Sequence, residues 1–250
     1  LNKTAVHGII PRMRLLLTND DGYDCEGLKA LASRLGGSHE TWIVAPDSER
    51  SGASNAITLK GPSKVRQVGE RAFTCSGMPA DCAILGLIHL MDSPPDALIS
   101  GINRGPNLGT DLIYSGTAGA ARQAAIMGLP GLAVSLATHQ APFRFGPAAD
   151  FVTQRLEELL GLWKPGVFIN LNLPNADTPP SRIIRTSTSR REYKDKVREF
   201  TASDGTRYCF LGEGCVETVA EEGSDAWAVE QGLASVTVVH AEPWTEAQPA

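Results

Sequence analysis

Two adjacent acids, in Asn19-Asp20-Asp21-Gly22, follow directly on the short apolar run Met13-Arg-Leu-Leu-Leu-Thr18. Neighbouring carboxylates repel each other, so a pair held at the end of an apolar segment needs compensation, usually a cation. Two more polar, glycine-marked segments follow apolar runs in the same way. Thr41-Trp-Ile-Val-Ala45 leads to Asp47 and then to Ser51-Gly-Ala-Ser-Asn55, and Asp96-Ala-Leu-Ile-Ser100 leads to Gly101-Ile-Asn103-Arg-Gly-Pro-Asn107-Leu-Gly109. Carboxylate, hydroxyl and amide oxygens form a hard ligand set that favours Mg2+ or Mn2+ over zinc. The histidines are scattered, with no HxH or HExxH spacing, which argues against a zinc enzyme. The plainer reading of the acids is that one caps a following helix while the other is solvated. Farther on, Ser115-Gly116-Thr117 precedes a helix-like stretch, where free N–H groups and the helix dipole attract anions; simple N-capping is the competing role. GxxxxGK[ST], GxGxxG and GxSxG are all absent, so triphosphate hydrolysis, dinucleotide binding and serine esterase chemistry lack support.

These segments need elements to position them. Met13 to Thr18, Thr41 to Ala45 and Asp96 to Ser100 read as buried parallel strands, the last stopped by Gly101. Gly27 to Leu35 carries Leu28, Leu31, Ala32 and Leu35 at helical spacing. Ser76-Gly-Met-Pro79 reads as a helix entry running into Cys82 to Met91. Thr117 to Gly128 and Ala148 to Leu160 read as helices, and Leu132 to Leu136 and Val167 to Leu173 as strands. Such alternation predicts right-handed βαβ units and a Rossmann-like, doubly wound α/β fold with a mainly parallel sheet. In an open sheet of this kind ligands bind beyond the carboxyl ends of the strands, where strand order reverses, so the polar segments should converge there.

After Asn175-Ala-Asp-Thr-Pro-Pro180 the helical periodicity fades. Strand-like pieces follow at Ile183-Ile184, Arg207 to Leu211 and Ser235 to Val239. The expected division is an N-terminal extension over 1–12, an α/β catalytic core over 13–178 and a β-rich C-terminal segment over 179–250. That segment is too short and polar to form a core alone, so it should pack on the main domain or on another subunit.

The formal charge of −5 argues against a broad nucleic-acid-binding face, although a metal ion and backbone N–H groups would still let an acidic protein hold a phosphate ester. Five cysteines, odd in number and without a CxxC pair, read as reduced thiols. No stretch is apolar enough to span a membrane, and residues 1–12 lack the features of a signal peptide. A cytoplasmic protein is expected.

Five phrases in order, LLLTNDDGY (Leu15–Tyr23), VAPDSERSGASNAITL (Val44–Leu59), SGMPADC (Ser76–Cys82), SGINRGPNLG (Ser100–Gly109) and YSGTAGAA (Tyr114–Ala121), closely resemble the SurE family of 5'/3'-nucleotidases. The resemblance implies one divalent metal ion per subunit, Mg2+ or Mn2+, held by Asp20, Asp21, Ser51 and Asn103. It also implies hydrolysis of nucleoside 5'- and 3'-monophosphates, with short polyphosphate as a further substrate of some members. Dimers or tetramers with exchanged C-terminal segments are implied too. The chain departs from the family in its tail, where Ser203-Asp-Gly-Thr206 and Tyr208-Cys209 stand in place of DPRG and a YW pair, and Val238 in place of proline.

The expected chemistry is metal-assisted phosphomonoester hydrolysis, in which a divalent cation polarises the phosphoryl group and acidifies water. Asp20 and Asp21 are the catalytic carboxylates, one of them also able to orient or deprotonate the attacking water. Asn55, Asn107, Ser115, Gly116 and Thr117 are the expected phosphate- and substrate-binding residues. Asp21 as a nucleophile ranks lower, since the metal wants the same carboxylate. The alternative of another class is a non-catalytic, metal-bearing signalling module. Such a domain needs roughly half this length and has no use for the SGAS and GPNLG segments.

Overall fold

The computed structural model describes residues 12–243; the proposed extension at 1–12 falls almost wholly outside them. A nine-stranded sheet forms the centre, in the order β3-β4-β2-β1-β5-β6-β7-β11-β8. Its first strand, β1 (Arg14–Thr18), lies between β2 (Glu40–Pro46) and β5 (Ala97–Arg104) and is parallel to both. The parallel run continues through β6 (Gly131–Leu136) and β7 (Val167–Leu173) on one side and β4 (Ala72–Cys75) on the other. Antiparallel β3 (Val65–Gly69) closes that edge.

Both faces of the sheet are covered, and the sequence pattern of β1 shows why it must be. Leu15, Leu16 and Leu17 are all fully buried and point to alternate sides. Leu15 and Leu17 pack with α1 (Glu26–Leu35) and α4 (Phe145–Leu160), while Leu16 joins a second cluster with Cys82 and Ala83 of α2 (Pro79–Leu85) and Ala120 and Ala124 of α3 (Gly116–Ile126). Burying a leucine in this way stabilises by roughly 1.5–3 kcal/mol. The alanine-rich face of α3 lets that helix lie close to the sheet. A π-helical turn, Gly86–Leu90, extends α2.

One local expectation is corrected and one hairpin is new. Gly101 does not stop its strand: β5 runs on to Arg104, because Gly101 takes φ +139° and absorbs a register shift against β6 between Ser100 and Asn103. Asn103 thereby lies beyond the last β5 residue paired with β1, while still pairing with Ser135 of β6. The β3–β4 hairpin, with its polar, exposed β3, escaped the sequence reading.

Beyond residue 180 the chain does two things. β8 (Ile183–Arg185) and β11 (Ala234–His240) add to the main sheet, β11 antiparallel to β7, and α5 (Asp225–Glu230) packs beside them. Between them β9 (Arg190–Thr201) and β10 (Arg207–Val219) form a separate two-stranded hairpin, longer than the Arg207–Leu211 piece expected, with an irregularity between Gly212 and Cys215. No helix among the described residues is long and apolar enough to cross a membrane. All five cysteines are free: Cys25, Cys75 and Cys82 are buried, and Cys209 and Cys215 lie exposed on the hairpin.

Candidate active site

Strand order reverses around β1, since the chain goes first to β2 on one side and later to β5 on the other. The segments leaving β1, β2 and β5 meet there around a cleft of about 440 Å³. Asp20, Ser51, Asn103, Asn107 and Ser115 all line it, together with Arg104, Asp111, Tyr114, His139, Arg191 and Tyr193.

Backbone bonds fasten the segments to one another. The Arg50 amide donates to the Asp20 carbonyl at 2.7 Å, Tyr23 to Pro46 at 2.8 Å, and Ser54 to Tyr114 at 2.9 Å. The Ser54 hydroxyl donates to the Ile113 carbonyl at 2.7 Å. Asp81 of the SGMPADC segment serves the same purpose: its carboxylate accepts from the Thr58 amide and hydroxyl and from the Met78 amide.

Asp20 is almost fully buried, and its carboxylate accepts the Thr117 hydroxyl. Burial pushes its pKa up; the Thr117 hydroxyl and the amides of Thr117 and Gly116 oppose that rise. Gly116 permits the approach, since a Cβ there would lie 2.8 Å from the Asp20 Cβ. Asp21 stands beside the cleft, accepting from the Arg104 amide at 3.1 Å. Its pKa is raised to about 6, first by burial and then by the Asp20 charge. Asn103 donates its amide nitrogen to the Gly105 carbonyl at 3.0 Å, and its side-chain oxygen accepts nothing among the described residues. The exposed Ser51 hydroxyl donates to Glu49 at 2.9 Å, which leaves oxygen lone pairs available. The cleft is lined by one carboxylate of the pair, a free amide oxygen and a hydroxyl, with the Asp21 carboxylate on the next residue off its wall; oxygen donors of these types fit a hard divalent cation.

The expected anion-binding residues separate into three groups. Ser115 lines the cleft and caps α3, accepting from the Ala118 amide at 3.0 Å. Gly116 and the fully buried Thr117 lie behind Asp20 rather than on the cleft wall. Asn55 does not line the cleft; its amide donates to Gln123 of α3 at 3.1 Å. Asn107 does line it, but its side-chain nitrogen is given to the Ser135 hydroxyl at 2.8 Å. Its backbone is held by Asn170 and Asn172, buried asparagines of β7 whose side chains bond the Asn107 amide and carbonyl at 2.9–3.0 Å.

Several contributors were not singled out from the sequence. Asn170 and Asn172 alternate with apolar residues in a strand buried on both sides, and that polar interruption was their signal. Asp225, which the sequence marks only as a tail position still matching the family, is fully buried and accepts from the amides of Gly109 and Ser189, both at 2.8 Å, so it ties the GPNLG segment to the base of β9. Arg191 and Tyr193 reach the cleft only through the hairpin's placement, which no local pattern announces.

A doubly wound α/β chain with an acidic pair, one member of it buried, and a helix N-terminus at its switch point belongs to the class of α/β proteins whose ligand site lies beyond the strand ends and suits an anion. The family profile described as Survival protein SurE matches residues 15–195. The chain is 37% identical over 233 residues to a protein of Geobacter metallireducens named 5'-nucleotidase SurE, covering 91% of each. It is 41% identical over 232 residues to one of the same name from Anaeromyxobacter dehalogenans, covering 91% of this chain and 90% of the other. The crystal structure of the SurE protein of Aquifex aeolicus superposes with a TM-score of 0.78 at 34% identity, covering 92% of this chain and 94% of that one. The chain belongs to the SurE family.

Proposed function

We propose that this protein hydrolyses nucleoside monophosphates to nucleoside and inorganic phosphate, with one Mg2+ or Mn2+ per subunit held by Asp20, Asp21, Ser51 and Asn103. The observation that carries the reading is the meeting of Asp20, Ser51 and Asn103 with Ser115, at the N-terminus of α3, around one cleft. The relatives' name, 5'-nucleotidase, supports the substrate class. Bound there, the cation would supply Lewis-acid polarisation of the phosphoryl group and acidified water. The chain's own part is positional and electrostatic. Thr117 and the first turn of α3 fix Asp20, and the Arg104 amide fixes Asp21, a carboxylate suited to orienting the attacking water. Ser115 and Arg104, both residues of the cleft, would stabilise the equatorial phosphoryl oxygens as charge redistributes. The free thiols suit the reducing cytoplasm.

The protein acts as a homo-oligomer, at least a dimer. Val197, Phe200, Phe210 and Leu211 are exposed on the β9–β10 hairpin, and such surface favours burial by roughly 25 cal/mol for each Å². A second copy of the chain is the partner proposed for this face.

A phosphate-release panel tests the activity: 5'- and 3'-nucleoside monophosphates, a nucleoside triphosphate and short polyphosphate, each with Mg2+, Mn2+ or chelator. Release from monophosphates with metal, lost in chelator, is expected. No release from any monophosphate with either metal overturns the reading.

A further inference from the structure

Tyr114, Tyr193, Arg191 and Asp111, which also line the cleft, form one contiguous group beside Ser115. The two tyrosine rings meet edge to face, with centroids 5.9 Å apart and planes at 88°. Neither is consumed by packing, since Tyr114 is 55% and Tyr193 39% exposed. A right-angled aromatic corner of this kind leaves a ring face free for a planar partner.

The corner is held rigid from beneath. Asp111 accepts the Tyr193 hydroxyl on one carboxylate oxygen and the Arg191 guanidinium on the other. The Thr110 hydroxyl donates to the Arg191 carbonyl at 3.0 Å and accepts from its amide at 3.2 Å. The Arg191 side chain is largely buried, and its Nε lacks a partner among the described residues. A clamped aromatic ring loses little freedom when a ligand arrives, which is where preorganisation adds affinity. Tyr114 also directly precedes Ser115, so the aromatic end begins one residue from the hydroxyl at the phosphate end. Phosphate, then sugar, then planar ring is the order of parts in a nucleoside monophosphate.

We propose that Tyr114 and Tyr193 form the base-recognition end of the cleft, stacking the purine or pyrimidine ring, with Arg191 and Asp111 fixing the tyrosine of the hairpin in place. This assignment rests on the nucleotidase reading and deepens it. Stacking accepts every base because each has a π-face, so the corner distinguishes substrates that carry a base from those that do not, more than one base from another.

The test compares wild type, Tyr193→Ala and Tyr193→Phe on adenosine 5'-monophosphate and on ribose 5-phosphate, which lacks a base. Binding of adenosine alone is measured by calorimetry alongside. Tyr193→Ala is expected to lower kcat/KM for the nucleotide by about tenfold, mostly through KM, and to weaken adenosine binding by a similar factor. Turnover of ribose 5-phosphate should be unchanged, and Tyr193→Phe should keep most of the preference for the nucleotide. Equal losses on both substrates, or a nucleotide preference untouched in Tyr193→Ala, overturn the proposal. Adenosine binding that weakens in Tyr193→Ala, in a protein releasing phosphate from no monophosphate, upholds the aromatic site and rejects the nucleotidase reading instead.

Discussion

Thr117 looks from the sequence like a phosphate ligand or a helix cap, and the structure gives it another position. Its hydroxyl is buried and bonded to Asp20, so it acts on the carboxylate rather than on the substrate. Thr117→Val keeps the volume while removing that donor and leaves a buried carboxylate oxygen short of a partner, which costs about 1–3 kcal/mol. The expected result is a modest fall in melting temperature with a clear rise in the Mn2+ concentration needed for half-maximal activity. An unchanged metal requirement would show that Thr117 supports only the fold. The residues at this site that the sequence marks are those whose type is odd for their setting: an acidic pair after three leucines, and Asn103 after an apolar strand. Asn55 carries the same mark yet turns to Gln123, because a polar side chain beside a helix can be satisfied by that helix.

At the level of elements, the buried parallel strands and the amphipathic helices were legible because each has an apolar pattern with one period. The β3–β4 hairpin and β9 were not, because exposed strands lack a buried face to impose alternation. One junction of elements makes stability depend on pH. His39, which precedes β2, is buried, and its Nδ1 accepts the Met13 amide at 3.3 Å. Burial lowers its pKa below the ordinary 6.5, with the Glu157 charge opposing. As pH falls below 6.5 the unfolded chain takes up this proton before the folded one does. The stability associated with neutral His39 is therefore full above 6.5 and is lost as pH falls through the lowered folded value. Melting temperatures between about pH 7.5 and pH 5.5 should fall less steeply in His39→Gln than in wild type. Parallel slopes would rule out this source of acid sensitivity.

For the whole molecule, the sequence reading of a β-rich tail covers two structures with different surroundings. β8 and β11 complete the main sheet, whereas β9 and β10 stand apart with apolar side chains in solvent. Composition could not separate them, since partner choice among short strands depends on where the chain has already been led. Removal of the whole tail would strip β11 from β7, so the subunit contact is better probed within the hairpin. Phe200→Glu combined with Leu211→Glu should turn a light-scattering dimer or tetramer into a monomer with its melting transition kept. A monomeric wild type would contradict the proposed contact. Whether the acidic pair holds a divalent cation that drives phosphomonoester hydrolysis is decided by one titration. Chelator-stripped protein is given Mn2+ stepwise while phosphate release from adenosine 5'-monophosphate is followed, wild type beside Asp21→Asn. Saturable recovery is expected in wild type and, in the folded variant, activity lower by at least about a hundredfold even at saturating Mn2+. Activity of Asp21→Asn within about tenfold of wild type at saturating metal would contradict that role of the pair.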